Sequence, residues 1–66
     1  MCKKENCRGF TIKYGEDIVD KKGVPVCEIP VIDAETGEYD TLTLHSIVTA
    51  REVVDWAREE HCYMPG

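Results

Sequence analysis

The stretch Val24-Pro25-Val26-Cys27-Glu28-Ile29-Pro30-Val31-Ile32-Asp33-Ala34-Glu35-Thr36-Gly37-Glu38-Tyr39-Asp40-Thr41-Leu42-Thr43-Leu44 decides the fold. Its centre, Asp33 to Glu38, has the composition of a four-residue hairpin loop with Gly37 in the left-handed region. Pairing Asp33 with Glu38 fixes the register, which sets Ile29 opposite Leu42 and Cys27 opposite Leu44. Cys27, Ile29, Val31, Leu42 and Leu44 then share one face, the one expected to meet the core. Pro25 and Pro30 cannot donate to a ladder. In the middle strand of a meander they predict that the strand before them pairs only in part, or that bulges sit at the prolines.

Upstream, Phe10, Ile12 and Tyr14 alternate with Thr11 and Lys13, a strand pattern that resumes at Ile18 and Val19 beyond Gly15. Asp20-Lys21-Lys22-Gly23 fits a type I turn followed by a left-handed glycine, closing a hairpin into Val24. Carried through without a bulge, that register puts Ile12, Tyr14 and Ile18 with Val24, Val26, Ile32 and Tyr39 on the second sheet face. A bulge at Gly15 would turn the strand over and remove Ile12 and Tyr14 from it. Residues 1–9 are polar and read as an arm.

Downstream, Ile47, Ala50, Val53, Val54, Ala57 and His61 fall within a stripe about 120° wide at helical spacing, between Ser46 and Cys62. Ser46 or Thr49 is the expected N-cap, and Arg51 with Asp55 the expected i,i+4 ion pair. The predicted architecture is α+β: a polar arm over 1–9, then one domain over 10–66 with a three-stranded antiparallel meander and one C-terminal α-helix packed on one sheet face.

With 66 residues, the chain buries only about 60% of the surface its unfolded form exposes. A metal, a disulfide, a partner subunit or unusually regular packing is therefore expected to supplement the core. The formal charge of −5 argues against nucleic acid, although a dimer could assemble a local basic patch from Lys3, Lys4 and Arg8. No apolar run approaches the roughly 20 residues of a membrane span, and no hydrophobic stretch follows the polar N-terminus as in a signal peptide. The cytoplasm is the expected compartment, with cysteines mostly reduced.

The four cysteines give the metal alternative, a structural zinc site built from Cys2, Cys7, His61 and Cys62 that would clamp both ends of the chain. The spacing is loose: Cys-x4-Cys in the arm, and adjacent helix residues that point about 100° apart. A disulfide from Cys2 to Cys7, or from the arm to Cys62, is the other use of these thiols. Cys27 reads as core, and His45 as a strand–helix junction residue. No phosphate loop or activated nucleophile is evident, and so small a chain offers little room for the roughly 300 Å³ pocket a substrate usually needs.

These features point away from an enzyme and a resident cofactor, and toward a non-catalytic protein-interaction or regulatory module. Trp56 falls about 60° outside the helical stripe, with Tyr63 near its ridge and Glu52, Glu59 and Glu60 around it. Tyr14, Val26, Ile32 and Tyr39 would leave an apolar sheet face wet. Tyr14, Val26, Ile32, Tyr39, Trp56 and Tyr63 are accordingly the expected partner-binding residues, and a homodimer is the simplest cover.

Overall fold

A computed structural model describes residues 2–66. Its elements run β1 (Cys2–Cys7), β2 (Phe10–Gly15), β3 (Cys27–Asp33), β4 (Tyr39–Leu44), α1 (Ile47–Glu60) and β5 (Tyr63–Pro65). The class is α+β with one helix on an antiparallel sheet. Five strands replace the expected three, with β1 to β4 in sequence order and β5 also paired to β3.

The β3–β4 hairpin has the register read from its loop, with Cys27 opposite Leu44 and Ile29 opposite Leu42. The Asp33 N–H donates to the Glu38 carbonyl at 2.9 Å, and the Asp33 carboxylate accepts from the Glu35 and Thr36 N–H groups, tightening the loop. Because hydrogen-bonded and non-bonded pairs alternate along an antiparallel ladder, Pro30 and Thr41 form a non-bonded pair. Pro30 therefore costs β4 no bond. Its carbonyl faces the other way and accepts from the Gly66 N–H at 3.2 Å.

On that other side β3 has two partial neighbours in tandem. β2 pairs with it only at Lys13 and Glu28, while β5 takes Val31 to Asp33. Partial pairing is thus how a proline-bearing strand comes to be central. Pro65 opposes Val31, whose own polar groups are spent on β4, so its missing N–H is not demanded by β3.

The stretch read as a polar arm is largely β1. It pairs with β2 from Cys2–Gly15 to Cys7–Phe10, closed by the two residues Arg8 (φ 50°) and Gly9 (φ 92°). Positive φ at both centres is what a type I′ hairpin turn requires. The Asn6 side-chain oxygen accepts the Gly9 N–H at 3.2 Å. Lys3 and Lys4 lie along this edge strand, a charge pattern that discourages further pairing.

The second correction concerns β2. Gly15 (φ 144°) and a turn joined by Ile18 N–H to Gly15 carbonyl, 3.3 Å, break the strand before the next hairpin. The break reverses the faces. Ile12 is fully buried and Phe10 1% exposed, and Tyr14 packs on the same cluster rather than on the second face. Val26 is also buried rather than presented on that face. The Asp20–Gly23 turn forms as read, with Asp20 accepting from Lys22 and Val24 and Gly23 at φ 82°.

Ser46 caps α1, its hydroxyl accepting the Val48 N–H at 3.2 Å, an interaction of about 1 kcal/mol at such positions. Ala50, Val54 and Ala57 are the buried helix residues and meet Phe10, Ile12, Cys27, Ile29 and Val31. His61 ends the helix in the left-handed conformation, so it leaves the apolar stripe. Arg51 and Asp55 do not pair with each other. Arg51 grips Glu5 through two bonds of 2.7 Å, and Asp55 takes Arg8 at 2.8 Å, so both charges tie the β1–β2 hairpin to the helix.

Candidate functional site

The expected partner residues fall at three places rather than on the two surfaces expected, the helix ridge and the outer sheet face. Tyr14 and Val26 line a cleft of about 590 Å³ at the N-terminal end of α1, together with Lys3, Cys27, His45 and Ile47. Ile32 and Tyr39 form a cross-strand pair on the sheet face away from the helix, and Met64 pairs with Ile32 from β5. Trp56 and Tyr63 lie together at the C-terminal end of α1. The cleft lined by Tyr14 and Val26 exceeds the roughly 300 Å³ that a small-molecule pocket usually needs, and it is open to solvent.

The outer sheet face is mostly polar once β2 has turned over. Lys13 opposes Glu28, and Thr41 and Thr43 continue the same side, since side chains alternate along each strand. What remains apolar is Pro30 and, beside it, the corner made by Ile32, Tyr39 and Met64. Among the described residues Tyr39 is the most exposed large apolar one, at 80%. At the free edge of β4, the Thr41 N–H is taken up by the Asp40 carboxylate at 2.8 Å, which blunts that edge.

Next to that corner, His61 turns the chain out of α1 and β5 runs back along β3. This return, not a continued helix, brings Tyr63 to Trp56, with ring centroids 6.4 Å apart and planes tilted by 56°. Such geometry lies in the preferred range for aromatic pairs. The rings wall a cleft of about 350 Å³ with Asp33, Ala34, Glu35, His61 and Cys62. A hollow of about 210 Å³ lined by Ala57, Arg58 and Met64 adjoins it through shared Ala34, His61 and Tyr63.

The titratable groups elsewhere are arranged for structure. Burial pushes the Cys27 thiol up, which disfavours the thiolate a nucleophile needs. Hydrogen bonds from Val24 and Lys22, with His45 nearby, hold the Asp20 carboxyl below its ordinary value, and His45 Nε2 is 3.8 Å from it. The Arg51 guanidinium holds the Glu5 carboxyl down in the same way. Lys3 and Lys4 are adjacent on a strand and so point to opposite faces, while Arg8 is engaged by Asp55; these three do not form one basic patch.

Cys7, Cys27 and Cys62 are free thiols, and Cys7 and Cys62 both pack against the core. Cys2 and Cys7 stand at the two ends of β1, about 17 Å apart in an extended strand. Among the described residues no three His, Cys, Asp or Glu side chains gather as a ligand set; the side chain of Cys2 lies outside them. A four-residue clamp would require β1 to come apart. We expect excess chelator to leave the thermal midpoint unchanged within about 1 °C. A fall of about 4 °C or more, the size of a 1 kcal/mol loss in so small a domain, would restore the zinc site.

Among the described residues no helix is long and apolar enough to cross a membrane. In comparisons with known proteins, no family model, no curated protein and no solved structure matches this chain.

Proposed function

We propose that this chain is a non-catalytic protein-interaction module that self-associates as a homodimer through the outer corner of its sheet. The observation that carries the reading is Tyr39, an aromatic side chain 80% exposed and paired across the strands with Ile32, beside Met64. Exposed apolar side chains grouped on a small domain are what an interface supplies. A two-fold contact lets the same three residues meet their own copies, which suits a patch without charge. The Asp40 carboxylate on the β4 edge favours contact through the face over continuation of the sheet from strand to strand.

Support for the absence of catalysis is chemical. The buried thiol is held protonated, and His45 is exposed and faces a carboxylate rather than a nucleophile.

The test is sedimentation equilibrium on untagged protein. We expect a dimer at tens of micromolar, and a folded monomer for Ile32→Lys or Tyr39→Lys with an unchanged circular dichroism spectrum. Wild-type protein that is monomeric at several hundred micromolar would overturn the self-association.

A further inference from the structure

The Trp56–Tyr63 cleft shares β3 and β5 with the sheet corner but is walled by Trp56 of α1, and it has its own chemistry. We propose that it receives a lysine or arginine side chain presented by a basic segment of a partner protein. This inference rests on the reading of the chain as an interaction module and names the chemistry of a second partner.

Three independent features of the cleft favour a cation. The first is aromatic. Trp56 is 51% exposed, and its ring and that of Tyr63 form two tilted walls of one recess. An ammonium or guanidinium over such faces is attracted by the ring quadrupoles, most strongly by tryptophan. The second is charge. Asp33 and Glu35 line the recess, and Glu52, Glu59 and Glu60 occupy the positions four before, three after and four after Trp56, its neighbours on the helix surface. The basic groups nearby are Arg58, which lines the adjoining hollow, and His61, which lines both.

The third feature is the helix itself. The recess opens at the C-terminal end of a 14-residue helix, where the unpaired carbonyls carry partial negative charge. Rings, carboxylates and helix dipole thus all select the same sign. An acidic or phosphorylated segment would meet repulsion from each of them, and a purely apolar one would leave the carboxylates desolvated without a partner. The overall charge of −5 adds long-range attraction for a basic segment.

Trp56 is the one tryptophan in the chain, so its emission reports on this cleft. The experiment titrates the full chain with hexalysine, with hexaglutamate as the opposite-charge control and choline as a small cation. We expect a saturable change in Trp56 emission with hexalysine, weakened at least tenfold between 50 and 500 mM salt, and no saturable change with hexaglutamate. Choline should compete only at much higher concentration, because it lacks the rest of the peptide. Tyr63→Leu, which keeps apolar bulk and removes a π-face, should weaken binding two- to fivefold. Glu35→Gln, in an exposed turn, should weaken it by a similar factor.

Glu16→Gln removes the same charge at the opposite, N-terminal end of the helix and should leave the affinity unchanged. The proposal is overturned if hexalysine gives no saturable change, if hexaglutamate gives the same one, if choline binds as tightly, or if Glu16→Gln costs as much as Glu35→Gln. Failure here with an intact dimer leaves the self-association standing. Binding of hexalysine by a monomeric wild type would overturn the self-association alone.

Discussion

Phe10→Ala is expected to lower the unfolding free energy by about 3–5 kcal/mol, the usual cost of removing a buried phenylalanine ring. A 66-residue domain at 0.05–0.15 kcal/mol per residue holds only roughly 3–10 kcal/mol in all. The variant should therefore lose between about a third and all of its stability, seen as a large fall in the urea midpoint. The reason lies in the turned-over β2: Phe10 and Ile12 are buried in one cluster with Ile29, Val31 and Val54. Val48→Ala, at an exposed position on α1, should change stability by less than about 0.5 kcal/mol and serves as the control. An unchanged urea midpoint for Phe10→Ala would place the ring on the outer face, where an unbroken first hairpin would have put it.

Removing the last four residues, Tyr63 to Gly66, is expected to cost about 3 kcal/mol, from one half-buried aromatic side chain and two or three hydrogen bonds near 1 kcal/mol each. The truncated chain loses the pairing of β5 with Val31 to Asp33 and the Gly66 N–H bond to Pro30. It also loses one wall of the Trp56 cleft, so Trp56 emission should shift to the red in the folded state. Urea unfolding followed at 222 nm and by Trp56 emission separates the two effects. A stability loss below about 1 kcal/mol would mean that β5 contributes little beyond geometry.

Both results depend on features that the amino-acid order signals only faintly. The Arg8-Gly9 turn has glycine in a suitable place, but arginine is an uncommon residue at positive φ, and Lys3 to Asn6 lack strand-forming composition. What makes Cys2–Cys7 a strand is its ladder with β2 and the reach of Glu5 to Arg51, 46 residues away. The helical stripe is legible at Ala50, Val54 and Ala57, because its period is a property of consecutive residues. His61 fits the same period, because nothing local says that a histidine will adopt the left-handed cap. Spacing alone puts Tyr63 on the ridge of Trp56 only if the helix continues, whereas the two rings meet because β5 folds back.

Charge pairing shows the same division. Arg51 and Asp55 have ideal spacing for a pair along the helix, yet each is drawn to a partner on the β1–β2 hairpin. An exposed i,i+4 pair is worth only about 0.3–0.5 kcal/mol, so any well-placed partner across the fold can displace it.

The β3–β4 hairpin, its register, its inward face and the helix that covers it were all readable from residues adjacent in the chain. There the turn chemistry at Asp33 and Gly37, the alternation of Cys27, Ile29 and Val31, and the serine cap act over a few residues and need no outside support. The face of β2, the existence of β1 and β5, and the Trp56 cleft were not readable in that way. The β2 face, β5 and the cleft arise from pairing between distant segments around Pro30, whose nitrogen leaves one side of β3 to be shared between a partial β2 and a returning β5; β1 is held by its ladder with the turned-over β2 and by the Glu5–Arg51 contact. The odd shift of three residues in register at Gly15, from Val19 opposite Pro25 to Lys13 opposite Glu28, inverts every side chain before it, and the burial of Phe10 and Ile12 against the helix selects which inversion is kept.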